Sequence, residues 1–260
     1  MAVTAQDVGD YITNLVPGWQ LGGEEGFLWG DPGSEVSGAL VAWMGTVQAI
    51  EAAAAQGCNF MLVHEQLTYP YPSRGPALEQ CLHWRSNQAR LSRLAKYGIT
   101  VYRAHGLLDT YCILDDFGRK LGLPEPAVSE AYFRIYDIKP LTVGELADTC
   151  KAATDMPAVR VVGDMDRIVS RVGAPWGGLG LSLNVGFIEG LLGYEPDVLI
   201  GGESDEYAMF LVQDCDVPFI ELGHTTSENI GLQRVAQEMD AALEDIKVIY
   251  YPVTCPWQMR

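Results

Sequence analysis

Two short apolar runs separated by one helical segment most constrain the fold of this chain. Residues 39–44 (ALVAWM) and 58–64 (CNFMLVH) have the composition of buried strands. The intervening segment TVQAIEAAAAQG places Val47, Ile50 and Ala54 on one face, which predicts a helix. A strand, a helix and a second strand in this order make the strands parallel neighbours joined by a right-handed crossover.

The same pattern continues along the chain. Helical periodicity resumes through 78–97, and ITVYRAH (99–105) is the next predicted strand. Around 135–145 a second series of elements begins. Its predicted helices lie at 142–153 and 183–192, and its predicted strands at 158–164, 167–174, 197–203, 217–224 and 247–253.

The sequence therefore predicts an α/β fold of two similar halves, each with a mixed β-sheet flanked by helices. We place the first half at 1–138 and the second at 139–260. The clearest helix of the chain lies between His224 and the final strand, and Thr226 or Ser227 is its expected N-cap.

The charge balance bears on the choice of partner. The 260 residues include 17 basic and 34 acidic side chains, which gives a formal net charge of −17. Such a surface repels phosphate backbones, so we expect no nucleic-acid partner. A small molecule is the expected substrate.

Cysteine usage and hydropathy indicate the compartment. The six cysteines contain no CxxC pair, which argues against thiolate zinc and favours a reducing cytoplasm. The beginning of the chain has early acids and no basic region, so no signal peptide is expected. The least charged stretch, 38–63, contains glycines and switches from helical to strand patterning, which argues against a membrane span.

Three of the four histidines close apolar, β-rich runs and stand close to a carboxylate in the sequence. The pairs are His64 with Glu65, His105 with Asp109, and His224 with Glu228. Strand ends are where α/β proteins hold their ligands. Because imidazole and carboxylate together suit divalent Zn, Mn and Fe, the pattern predicts a metal site, with two ions favoured over one.

Each pair also has a purely structural interpretation. Glu228 could bond the backbone amides at a helix N-terminus, and His64 could be a buried histidine bonded to the backbone. Asp109 could be the N-cap of a helix beginning at residue 110. The recurrence of the pairs at equivalent strand ends favours a shared site.

Two glycine-containing segments are further candidates. The segment GGLG (177–180) could cradle a phosphate through its amides, although it lacks the GxGxxG spacing and a simple turn is favoured. The segment GGESDE (201–206) follows a predicted strand and contains Glu203, either an additional acid of the site or part of a solvated helix start.

Five segments in order resemble the Nif-three-like family, also called GTP cyclohydrolase I type 2 homologues or dinuclear-metal-centre hexameric proteins. They are AAAAQGCNFMLVHEQLTYP, VYRAHGLLD, VRVVGDMDRIVSRVGAPWGG, DVLIGGESDEYA and IELGHTTSE. The resemblance begins near residue 36 and extends to the C-terminus. It implies two metal ions per subunit in a cleft between two α/β halves, and a toroidal hexamer. No middle domain is inserted, so the chain is similar to the short form of the family.

The resemblance also implies a set of metal ligands. Carried over by position, these are His64, Asp109, His224 and Glu228, with Glu228 bridging. Glu65 stands where family members usually carry a second histidine, and Tyr207 stands where they commonly carry another. Glu65 can still bind metal, and its oxygen donors favour Mn or Fe somewhat over Zn.

Charge supports two ions over one. Glu65, Asp109 and Glu228 supply three negative charges, and a bridging hydroxide would supply a fourth, which together balance two divalent cations. A single ion would leave buried negative charge uncompensated.

The expected function is that of a cytoplasmic metal-dependent hydrolase acting on a small nucleotide-like, cyclic amide or phosphoester substrate. The nucleophile is expected to be water acidified by the metal, with Glu203 as a candidate helper and no separate organic cofactor. The alternative is a non-catalytic metal-binding scaffold or regulatory protein. Aromatic residues in loops, at Tyr69–Tyr71, at Trp176 and in the terminal CPWQM (255–259), suggest surfaces buried by the hexamer.

Overall fold

The computed structural model describes residues 2–71, 75–258 and 260, which form a mixed α/β fold. The strands are β1 (Gly26–Trp29), β2 (Gly38–Ala42), β3 (Phe60–Val63), β4 (Thr100–Arg103), β5 (Val128–Glu130), β6 (Phe133–Thr142), β7 (Arg160–Val162), β8 (Ile168–Gly173), β9 (Val198–Gly201), β10 (Phe219–Glu221) and β11 (Lys247–Tyr251).

The helices connect and flank these strands. They are α1 (Ala5–Thr13), α2 (Val47–Ala55), α3 (Leu78–Cys81), α4 (Arg85–Tyr97), α5 (Gly106–Leu108), α6 (Leu114–Lys120), α7 (Val143–Ala153), α8 (Val185–Leu192), α9 (Glu206–Asp214) and α10 (His224–Ala242). A π-helical turn (Asp109–Ile113) joins α5 to α6, and a 3₁₀ turn (Ser182–Asn184) precedes α8.

The first compact unit comprises residues 1–112 and 231–253 and contains a five-stranded sheet of order β1-β4-β3-β2-β11. The strands β11, β2, β3 and β4 are parallel, and β1 is antiparallel to β4. The predicted parallel β2-α2-β3 unit is confirmed, with Ala39 paired to Phe60. In the core of this unit, α2 packs against the sheet: Ile50, Leu40 and Met61 are fully buried in one cluster.

The second unit comprises residues 113–230 and 254–260 and contains a six-stranded sheet of order β5-β6-β8-β9-β10-β7. The strands β8, β9 and β10 are parallel, and the remaining pairings are antiparallel. The predicted architecture, two mixed sheets flanked by helices, is thereby confirmed.

The structure divides the chain differently from the boundary placed after residue 138. That position lies inside β6, and the last strand, β11, pairs with β2 in the first unit. The chain therefore leaves the first unit after residue 112 and returns to it after residue 230. The long α10 begins at His224, so Thr226 and Ser227 lie inside its first turn and are not its N-cap.

Trp176 does not lie in an exposed loop, contrary to its suggested place in an interface. It is 1% exposed, packs edge-on against Phe117 and donates its indole N–H to the carbonyl of Leu114. Tyr69 and Trp257 are exposed, and Met259 lies outside the described residues. No helix in the described part of the chain combines the length and apolar character that a membrane crossing requires.

Candidate metal centre

A tight turn after β3 presents His64 and Glu65. The strand ends at Val63, and the amides of His64 and Glu65 both donate to the carbonyl of Trp43, at 3.1 and 2.7 Å. Both side chains are buried. Adjacent residues of a regular strand point to opposite faces. Because β3 ends at Val63, this rule does not apply to His64 and Glu65.

The hydrogen bonds of His64 fix which ring nitrogen faces the carboxylates. Its Nδ1 lies 3.2 Å from the carbonyl oxygen of Ala104, which can only accept, so Nδ1 carries the proton. The Nε2 atom then presents its lone pair and lies 3.6 Å from Oδ1 of Asp109. A histidine held by one nitrogen and presenting the other is the usual arrangement of a metal ligand.

His105 and Asp109 follow β4 and occupy one helical turn. The amide of Asp109 donates to the carbonyl of His105 at 3.0 Å, and Asp109 begins the π-helical turn. Asp109 is therefore not the N-cap of a helix beginning at residue 110. π-Helical turns often occur at functional sites because they displace a side chain from regular helical spacing.

His105 joins the cluster of the first unit, although it was not assigned as a ligand from the sequence. Its ring centroid lies 4.6 Å from that of His64, and its Nε2 lies 3.7 Å from Oε1 of Glu65. His64, His105 and Asp109 each offer one ligand atom within 4.8 Å of the others. Two imidazoles and a carboxylate are a donor set suited to Fe, Mn or Zn.

A glutamate immediately before β1 fixes the turn that carries His105. One oxygen of Glu25 accepts the amides of His105 and Leu107 at 2.9 and 3.1 Å. Burial acts to raise the pKa of Glu25, but these bonds, with two more from the indole of Trp19 and the amide of Gly22, outweigh burial and hold the pKa below its usual value. The ionised carboxylate is therefore the form that holds the turn.

In the second unit, His224 lies between two carboxylates. Its Nδ1 is 2.9 Å from Oε2 of Glu203, and its Nε2 is 3.2 Å from Oε1 of Glu228. His224 is the first residue of α10, and Glu228 follows one turn later. Glu228 therefore pairs with the side chain of His224, and Glu203, whose side chain is 47% exposed, is a partly solvated carboxylate that orients the ring.

The glycine segment 177–180 packs against this pair. A Cβ atom added to Gly177, whose φ is +54°, would overlap Oε1 of Glu228 and lie 3.4 Å from Nε2 of His224. The amide of Gly177 donates to the hydroxyl of Ser227 at 2.9 Å, and its carbonyl accepts the amide of Glu203 at 2.7 Å. The segment is a turn that brings backbone close to the carboxylate.

The structure thus groups the sequence-predicted residues in two sets. His64, Glu65 and Asp109 gather in the first unit, and His224, Glu228 and Glu203 gather in the second. Tyr207, which the resemblance implies stands at a family histidine position, is 82% exposed. Sequence reasoning did not identify Glu25, whose role depends on contacts between residues far apart in the chain.

The fold and these side chains define a two-unit α/β protein with residue groups that could bind metal ions. The chain belongs to the Duf34/NIF3 (NGG1p interacting factor 3) family, whose model matches residues 4–256. The resemblance to the Nif-three-like family is thereby confirmed.

Solved structures share the fold over nearly the whole chain. The hypothetical protein SA1388 of Staphylococcus aureus is 17% identical, with all of both chains covered and a TM-score of 0.78. Protein ybgI, of unknown function, is 18% identical over 98% of this chain and 100% of its own, with a TM-score of 0.80. Reduced HcgD from Methanocaldococcus jannaschii is 19% identical over 96% and 98%, with a TM-score of 0.74. A comparison with curated proteins gives no match.

Proposed function

We propose that this protein is a metal-dependent hydrolase that binds about two divalent ions per chain, Fe, Mn or Zn. Its substrate would be a small nucleotide-like molecule, a cyclic amide or a phosphoester. The proposed metal ligands are His64, Glu65, Asp109, His224 and Glu228.

One repeated arrangement carries the proposal. In each unit a histidine is held through Nδ1 by a hydrogen-bond acceptor and presents Nε2 to a carboxylate. For His64 the acceptor is the carbonyl of Ala104, and for His224 it is the carboxylate of Glu203. Such acceptors fix the tautomer and orientation that metal binding requires. The donor chemistry therefore fits divalent transition metals.

The chain's own residues would orient the ligands and shape the site. A divalent ion supplies Lewis acidity, which polarises a carbonyl or phosphoryl oxygen and makes water a better nucleophile at neutral pH. Glu203 would hold the ring of His224, and the turn at Gly177 would keep backbone close to the carboxylate of Glu228. The resemblance to GTP cyclohydrolase I type 2 homologues makes ring opening of GTP the first reaction to test.

The alternative is a metal-binding scaffold or regulator without turnover. The engagement of Glu203 favours it, because a carboxylate that accepts the Nδ1 proton of His224 at 2.9 Å is less available as a general base. The two functions share the same metal site and differ only in catalysis.

Metal analysis combined with a substrate panel tests the proposal. Protein reconstituted with Mn, Fe or Zn should carry about two ions per chain and hydrolyse GTP, a cyclic amide or a phosphoester. Glu228→Ala should lose most of the metal and the turnover, whereas the exposed control Glu189→Ala should keep both. Metal without turnover would favour the scaffold, and no bound metal would contradict both functions.

The proposal extends to assembly and compartment. Following the family resemblance, we propose a toroidal hexamer that limits access to small molecules and needs neither nucleic acid nor membrane. We place it in the cytoplasm, where its free cysteines would stay reduced.

A further inference from the structure

Arg103, the last residue of β4, is a fully buried cation beside the turn that carries His64 and Glu65. Its Nε donates to the carbonyl of His64 at 2.9 Å. Its Nη1 donates to the carbonyl of Glu24 at 2.9 Å, and its Nη2 donates to the hydroxyl of Tyr71 at 2.7 Å. The guanidinium thus fixes the backbone of one proposed ligand from a position with no exposure to water.

The same guanidinium faces the carboxylate of Glu65. Nη2 of Arg103 lies 3.8 Å from Oε2 of Glu65, while Oε1 of Glu65 lies 3.7 Å from Nε2 of His105. The other carboxylate near Arg103 belongs to Glu24, at 3.4 Å, and its side chain is 36% exposed against 10% for Glu65. Glu65 is therefore the more buried of the two negative charges facing Arg103. Water screens the attraction between Arg103 and Glu65 less than the attraction between Arg103 and Glu24.

We propose that Arg103 is a positioning residue of the metal centre, which orients Glu65 and offsets part of its negative charge. A carboxylate and a guanidinium together carry no net charge, as a neutral imidazole does. The inference rests on the proposed function, because it assumes that these residues hold a metal ion.

A purely structural role for Arg103 would make different predictions. If Arg103 only supported the turn, its loss would weaken metal binding whatever residue stood at 65. If it balances the charge of Glu65, its positive charge becomes harmful once Glu65 is replaced by a neutral histidine. The two roles therefore differ in the sign of the effect of Arg103 in a Glu65→His background.

Mn²⁺ binding to the full-length protein, measured by titration calorimetry, tests this difference. Glu65→His alone should weaken binding by about 10-fold or more, because it replaces a proposed ligand and leaves the charge of Arg103 unbalanced beside the site. Adding Arg103→Gln, which keeps an N–H donor but removes the charge, should raise the affinity again by about 10-fold, close to that of wild type. Adding Arg103→Lys, which keeps the charge, should not restore it.

Controls separate this rescue from general changes in stability. Arg134 is also a buried arginine, whose Nε lies 2.6 Å from Oδ1 of Asp115 in the second unit, so Arg134→Gln should not rescue Glu65→His. Thermal melting of the apo variants confirms that each one is folded. Failure of Arg103→Gln to rescue, with normal binding by wild type, overturns this inference alone. Absence of Mn²⁺, Fe²⁺ and Zn²⁺ binding by wild type overturns it together with the proposed function.

Discussion

Nδ1 of His224 lies 2.9 Å from Oε2 of Glu203, and this hydrogen bond connects the ends of two parallel strands. β9 and β10 pair with Glu221 opposite Gly201, so the residues that follow both strands emerge at the same edge of the sheet. The parallel register therefore brings the acid and the imidazole together. It also explains how a residue 21 positions away can set the tautomer of His224.

Glu203→Ala should weaken metal binding by roughly 10- to 100-fold without unfolding the protein, because His224 would lose the acceptor that orients it. Glu203→Gln should lose less, since its amide oxygen can still accept from Nδ1. Competition with a chromophoric chelator measures the affinity. The neighbouring exposed Glu206→Gln serves as the control, and equal affinities in all four proteins would refute the orienting role.

Gly177→Ala should destabilise the protein and displace Glu228. The left-handed backbone alone costs about 1–2 kcal/mol with a side chain, and the new Cβ atom would overlap the carboxylate. Gly186→Ala is the matched control, because no atom lies within 4 Å of the added Cβ. In this helical position alanine should stabilise by roughly 0.5–1 kcal/mol. Chemical denaturation and metal stoichiometry should distinguish the variants, and similar behaviour of both would contradict the close packing.

The sequence predicts elements whose signals are local. The buried runs that became β2 and β3, with the periodicity of α2 between them, are visible in short windows, and so is the placement of His64 after a strand. The predicted start of α10 was wrong. Thr226 and Ser227 are residue types that favour an N-cap, but Gly223, with its positive φ, turns the chain earlier, and the helix begins at His224. The hydroxyl of Ser227 instead donates to the carbonyl of His224.

Contacts across the sheet could not be predicted in this way. β1 pairs antiparallel with β4, with Gly26 opposite Arg103, and this pairing brings Glu24 and Glu25 to the turn that carries His105. The bond from the amide of His105 to Glu25 spans 80 residues. No spacing rule connects such positions, so the supports of the candidate site became visible only in the folded chain.

Glu25 should give a distinct dependence of stability on pH. The pKa of Glu25 is lower in the folded chain than its ordinary value of 4.5. Ionised Glu25 therefore stabilises the folded chain above pH 4.5, and this contribution is lost as the pH falls through the pKa of the folded state. Glu25→Gln should cost about 1 kcal/mol at neutral pH, as loss of a capping acceptor does, and this difference should shrink in acid. Urea unfolding between pH 3 and 7 measures it, with the exposed Glu35→Gln as control. A constant difference across this range would show that ionised Glu25 does not hold the turn.

The proposed hexamer should be visible in the mass of the purified protein. Tyr207 and Phe210 lie one turn apart on α9 and are 82% and 63% exposed, which is unusual for large apolar side chains and suits a surface covered by another copy. Phe210→Asp should therefore lower the assembled mass, because a charge buried at an interface is costly. Leu21→Asp, at a residue 43% exposed in the first unit, should leave it unchanged. Size exclusion coupled to light scattering decides the matter: a wild-type mass equal to one chain, constant across concentration and metal loading, would rule out the ring.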